Sequence, residues 1–381
     1  MGGILSFLKK KTKKSQSGVT PAPAPPADPT PKDESPLPPA PAPAPAPVPE
    51  LAPVLPPVDV ADGWKKGTFE GLTYNYRSIK PSTPDKVTFL LLHGFPNGPS
   101  NYKYFIPEIT SRGHGVIMPE MLGYGETDKP TNVEAYAFKP LCSQLAAILD
   151  AEGVAKVVGL GHDFGAPLIA RFSQFYPERV LGIVLGGAPY NPPSPTALNV
   201  EAVLAAVAPL LGYENIGYFK FFPAEHAPAE IEDHLESFVS IMFGPPGEWK
   251  ERVCASGGLE SSLKENHISK VEPWMSQEDK EELIEYLRKT GLTGPCMWFR
   301  AAVSPVNTGD HGVIDPRVKH PYLYISPAHD PSYPLPMAAR QNPLCDDITT
   351  KTIQTGHWIF EQDPKGSAQL VLEWGAEKGL F

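Results

Sequence analysis

A short apolar run that ends in a turn flanked by glycines is the tightest constraint in this chain. Residues 156–160 (KVVGL) lead directly into Gly161-His162-Asp163-Phe164-Gly165, with Pro167 close behind. The run is short and rich in β-branched residues, which predicts a buried strand. Pro167 fits the first turn of a following helix, where a missing N–H costs little. A strand that turns into a helix within five residues needs small neighbours on both sides of the central residue. Its side chain is then aimed away from both elements. The pattern is small, any, nucleophile, any, small, with aspartate at the centre. The other reading of Asp163 is an ordinary helix N-cap.

Further apolar runs alternate with helical patterns, as in a mostly parallel sheet crossed by helices. They cover residues 87–92 (VTFLLL), 115–118, 180–185 and 321–325 (PYLYI), which with 156–160 make the expected core. Three of them end in polar or glycine-rich motifs: His93-Gly94-Phe95-Pro96, Leu122-Gly123-Tyr124-Gly125 and the Asp163 turn. Open α/β sheets place their ligands at such carboxyl ends. Residues 61–381 hold all six tryptophans and all fourteen tyrosines. A block of that size buries about three quarters of the surface of its unfolded chain and should fold alone.

Two further residues complete a chemistry with Asp163. His357, in Thr355-Gly356-His357-Trp358, is a candidate base, and Asp330, 27 residues before it, is a candidate orienting acid. The order nucleophile, acid, histidine is one in which such triads occur, and a carboxylate at Asp330 would fix the imidazole tautomer and stabilise its cation. Structural readings compete: a packed core histidine for His357, and a turn aspartate before Pro331 for Asp330. An aspartate nucleophile suits one class of reaction. Serine opening an epoxide would leave an ether that water cannot cleave, whereas a carboxylate leaves a hydrolysable ester.

Taken together, His93 to Pro96, Leu122 to Gly125, Gly161 to Gly165 and Gly356-His357-Trp358 resemble, in order, the motifs of the soluble epoxide hydrolase family of α/β-hydrolases. The resemblance implies an α/β-hydrolase core of residues 61–190 and 315–381, with a mainly helical cap, 191–314, inserted between. It implies conversion of an epoxide to a vicinal diol without cofactor or metal. It assigns the oxyanion donors to the backbone N–H groups of Phe95 and Phe164, and matches Tyr218 to the first of two cap tyrosines that protonate the opened ring. The second falls on Phe299, beside Trp298. Both would line the substrate pocket, but Phe299 donates no proton. Tyr218 is then the acid alone or with a group the sequence does not identify. A haloalkane dehalogenase would share Asp163 and His357 but places tryptophan and asparagine where Phe164 and Phe95 stand. A weakly active, membrane-tethered binding or scaffold protein is the non-enzymatic alternative.

The remaining sixty residues are of another kind. Gly2 and Ser6 fit the pattern for N-myristoylation, and Lys9, Lys10, Lys11, Lys13 and Lys14 follow. One acyl chain binds a bilayer marginally, and a polybasic patch supplies the second signal. Residues 21–60 hold 17 of the 47 prolines with no glycine or aromatic residue, so they cannot form a core and read as a polyproline spacer. These features predict a peripheral protein on the cytoplasmic face of a membrane, acting on a lipophilic epoxide. The net charge of −10 divides as +5 in residues 1–20, −4 in 21–60 and −11 in the rest, and an acidic body argues against nucleic acid. Four widely spaced cysteines show no zinc or redox spacing. The charged stretch 276–289 (SQEDKEELIEYLRK) reads as a solvated helix, and His162 as structural.

Overall fold

A computed structural model describes residues 63–334 and 343–381. Gly2, the lysine cluster and the Pro-rich stretch lie outside them. The five apolar runs form β3 (Thr88–Leu92), β4 (Gly115–Pro119), β5 (Val157–His162), β6 (Val180–Gly186) and β7 (Val318–Pro327), all mutually parallel. Every residue of β3, β4 and β5 is buried. Strands covered on both faces read as continuous apolar runs, which is why these were legible.

Three more strands extend the sheet to eight, in the order β1-β2-β4-β3-β5-β6-β7-β8. β1 (Trp64–Phe69) and β2 (Leu72–Ile79) form an antiparallel hairpin, and β8 (Cys345–Ile353) lies parallel to β7 at the far edge. The five-strand core expected from the sequence is therefore too small. β8 buries only its two end residues, so its sequence, CDDITTKTI, carries no apolar run, as suits a strand at a sheet edge.

The helices of the first half are α1 (Phe105–Thr110), α2 (Phe138–Ala151) and α3 (Gly165–Phe175). Between β6 and β7 come α4 (Val200–Leu211), α5 (Ala227–Asp233), α6 (Leu235–Met242), α7 (Gly258–Lys264), α8 (Gln277–Thr290) and α9 (Thr293–Val303), with no strand among the described residues; α10 (Pro364–Glu377) follows β8. The pleat sorts the core into two faces. Phe89, Leu91 and Val184 pack with Phe105 and Ile109 of α1 and Trp374 of α10, while Leu90, Leu92, Ile183 and Leu185 pack with Leu145 and Leu149 of α2 and Ile169 and Phe172 of α3. A third cluster joins Phe222, Phe238, Val239, Leu263 and Leu287 from the helical insertion to Phe95 and Trp358 from the sheet end. The insertion thus closes over the carboxyl ends of the strands.

Candidate active site

β5 stops at His162, α3 starts at Gly165, and Asp163 makes the turn between them with φ +51°. That left-handed conformation is uncommon for a residue with a side chain and persists only where its surroundings enforce it. They do so here by close packing. A Cβ on Gly161 would overlap the Gly165 carbonyl, one on Gly165 would overlap the Leu92 carbonyl, and one on Gly94 would overlap the Asp163 side chain. The residue at the helix cap is Phe164, with no side-chain cap bond, so Asp163 does not serve as an N-cap. Its carboxylate points into the space under the helical insertion instead.

Two backbone donors meet that carboxylate. The Phe95 N–H donates to Asp163 Oδ1 at 3.0 Å, and the Phe164 N–H also bonds to it. Phe95 follows β3, and its peptide bond to Pro96 is cis. Burial raises the Asp163 pKa, and the nearby His357 and the two N–H groups hold the rise in check.

His357 lies on the other side, its Nε2 3.9 Å from Asp163 Oδ2. Its Nδ1 is 2.7 Å from Asp330 Oδ2, so the ring proton donates to that carboxylate. Asp330 Oδ1 accepts the Ser332 N–H at 2.7 Å. β7 and β8 bring the acid and the base together: beyond the strand ends, Ala328 N–H bonds to Ile353 O and His329 N–H to Thr355 O, zipping the two loops side by side. Burial works against the His357 cation, but Asp330 and Asp163 more than offset it and raise the pKa. His162 is structural in this geometry. Burial holds it neutral, and its Nε2 donates to the His357 carbonyl at 2.8 Å, steadying the backbone beneath the ring.

Aromatic side chains wall the site. Tyr218 sits in the turn Gly217–Lys220 with its ring 5.0 Å from Phe219 and 6.1 Å from Phe299. Burial pushes its phenol well above the usual range. Phe299, on α9, lies 4.9 Å from Phe95, 4.7 Å from Phe164 and 4.5 Å from Phe222. Trp298 departs from its expected place. One residue along a helix turns the side chain by about 100°, and Trp298 packs in the layer behind, beside Tyr136, with Nε1–H donating to Leu122 O at 2.8 Å. It touches the site through Phe164, at 5.8 Å between rings.

Sequence reasoning missed Glu361, one turn beyond His357. Its buried carboxyl accepts from the side chains of Asn97 and, at 2.8 Å, Asn101, and burial pushes its pKa up to about 8. It also missed Tyr333, three residues beyond Asp330 on the same loop, whose phenol is pushed well above the usual range by burial and by the charges of Asp163 and Asp330. A glutamate following the histidine by four residues was visible, but its partners lie some 260 residues away. Among the described residues no cluster of three or more His, Cys, Asp or Glu side chains is arranged to hold a metal ion. The four cysteines are buried and unpaired.

This geometry agrees with what the chain is similar to. The chain is 26% identical over 317 residues to the bifunctional epoxide hydrolase 2 of Sus scrofa, covering 80% of this chain and 55% of that protein. It is 27% identical over 332 residues to an epoxide hydrolase of Neurospora crassa, covering 80% and 92% respectively. The chain thus spans about half the length of the mammalian relatives it matches. The crystal structure of epoxide hydrolase A from Mycobacterium thermoresistibile superposes with a TM-score of 0.67 at 23% identity, over 82% of this chain and 97% of that one, a likeness of fold. A sequence profile described as alpha/beta hydrolase fold matches residues 87–364, and with the strand-to-helix turn at Asp163 this establishes that the chain belongs to the α/β-hydrolase family.

Proposed function

We propose that the protein is an epoxide hydrolase that works through an ester on Asp163. The observation that carries this reading is the aspartate itself, with one oxygen held by the Phe95 N–H and the other facing His357 across 3.9 Å. Asp163 Oδ2 attacks a ring carbon, the carbon–oxygen bond breaks, and its electron pair moves to the ring oxygen. That alkoxide is too basic to leave unaided and takes a proton from Tyr218. Esterification removes the Asp163 charge, one of the groups that raises the His357 pKa. His357 therefore holds its proton less tightly and stands neutral, free to accept one, when water must be activated. Water attacks the ester carbonyl, the Phe95 and Phe164 N–H groups stabilise the oxyanion, and His357, steadied by Asp330, takes the proton and returns it to the departing diol.

The walls favour an apolar substrate, since Phe95, Phe164, Phe219, Phe222 and Phe299 crowd around the nucleophile. A dehalogenase reading is weaker. A leaving halide needs side-chain N–H donors beside the nucleophile, where Phe164 and Phe95 stand, and the neighbouring indole N–H groups of Trp249 and Trp358 are both committed to Met242 O and that of Trp298 to Leu122 O. A lipophilic epoxide also suits the anchor we propose, with Gly2 carrying a myristoyl group and the lysines that follow meeting anionic lipid at a cytoplasmic membrane surface.

A single turnover in heavy-oxygen water tests the ester. The expected result is isotope in the Asp163 carboxylate, because water attacks the ester carbonyl rather than the substrate. Diol formed with no isotope in the peptide containing Asp163 would mean direct attack by water and would sink the mechanism.

A further inference from the structure

The proposed chemistry has a gap. Phe299 occupies the position of a second proton donor, and its ring, 3% exposed, is packed against other rings. We infer that Tyr333, from the loop that carries Asp330, supplies the missing phenol and protonates the opened epoxide together with Tyr218. This rests on the epoxide hydrolase reading.

The loop is held in place from both sides. Asp330 Oδ1 accepts the Ser332 N–H, Tyr213 O–H donates to Pro331 O at 3.0 Å, and Asn215 Nδ2 donates to Ser332 O at 3.0 Å. The last two come from the segment that leads into Tyr218, so the helical insertion fixes Tyr333 and Tyr218 relative to each other. The two rings arrive from opposite walls: Tyr333 packs on the sheet-face cluster and Tyr218 on the cluster of the helical insertion. Both residues are half-buried rather than sealed in the core, and neither hydroxyl has a hydrogen-bond partner among the described residues, so both are free to bond a ligand. A ligand oxygen between them would satisfy both. The Asp163 and Asp330 charges act on both phenols, as suits two groups that border the same site.

Proton and electron accounts close. The ring oxygen takes a phenol proton as its bond to carbon breaks, leaving a phenolate. Ester hydrolysis later leaves Asp163 as the free acid, whose proton restores the phenol. No further reactant is needed.

The test uses the full chain with styrene oxide in rapid-quench experiments that separate ester formation from ester hydrolysis. Tyr333→Phe removes one oxygen and keeps the ring. Ester formation should slow about tenfold or more, with hydrolysis of the ester unchanged. Tyr218→Phe with Tyr333→Phe should abolish ester formation. Adding Phe299→Tyr to Tyr333→Phe should restore most of the rate, which a packing defect would not allow. Wild-type ester formation in Tyr333→Phe, with Tyr218→Phe alone abolishing it, would overturn the assignment. A wild-type chain that makes diol with no ester would defeat the Asp163 reading itself, and this one with it.

Discussion

In the proposed mechanism Asp163 must be ionised to attack and buried to attack well, and these demands conflict. Burial raises its pKa, and His357 and two N–H groups, the proposed oxyanion donors, counter that rise. The site so reuses its ground-state donors. Glu361 takes the opposite course. Its side chain accepts from the amide donors Asn97 and Asn101, and with a pKa of about 8 it stays protonated at neutral pH. Below the ordinary carboxyl pKa, folded and unfolded chains both hold this proton and the group leaves stability independent of pH. Between there and about pH 8 the unfolded chain releases it while the folded chain does not, so stability falls as pH rises and then levels off. Glu361→Gln keeps the acceptor for both asparagines and removes the titration. Denaturant unfolding at several pH values should show a smaller loss between pH 5 and 8 in the variant than in the wild type; parallel curves would show that the carboxyl is ionised in the fold.

At the scale of elements, glycines decide how closely β3, β5 and α3 approach. Gly165 opens α3 without a left-handed φ, so helix propensity alone favours alanine there, by about 1 kcal/mol. Its Cβ, however, would fall on the Leu92 carbonyl of β3, and backbone yields little. Gly153 is the converse case, with φ +67° and open space around it. There, Gly153→Ala should cost about 1–2 kcal/mol through conformation alone, with activity kept. Gly165→Ala should cost more and also displace Asp163, lowering turnover. Denaturation midpoints and rates measured on both variants check this, and a milder effect at Gly165 would mean that the strands can part. What was legible in the sequence follows the same division. Asp163 and Asp330 follow β5 and β7, whose apolar runs pointed to them, whereas His357 follows the edge strand β8 and was found through its own Gly-His-Trp motif. β1 and β8, at the edges, left no run to read. Tyr333 and Glu361 are joined to the site by loops and by distant asparagines, a relation that no local pattern encodes. The charged stretch that gave α8 was half read. Asp279 and Glu282 pair with Lys103 at 2.8 Å each, and Tyr286 reaches Glu120, so one face of that helix seats the insertion on the core rather than meeting water.

At the scale of the whole chain, the distribution of charge carries the argument. The body bears −11 and the first twenty residues +5, so an anionic membrane attracts one end and repels the rest. Charges separated by more than about 8 Å are largely screened at physiological salt. A spacer such as residues 21–60, at about 3.1 Å per residue if extended, would carry the acidic body beyond that range. The proposed anchoring should then be additive: a myristoyl group at Gly2 supplies the apolar part and each of the five lysines about 1 kcal/mol near anionic lipid. Sedimentation of the N-myristoylated full chain with vesicles separates the two parts. Binding should be strong on phosphatidylserine-containing vesicles, weak on pure phosphatidylcholine, and reduced by high salt. Gly2→Ala should return the protein to the supernatant on both, because the lysines alone lack the apolar contribution. Equal binding of the Gly2→Ala protein would reject the acyl anchor, and binding indifferent to lipid charge and salt would reject the role of the lysines.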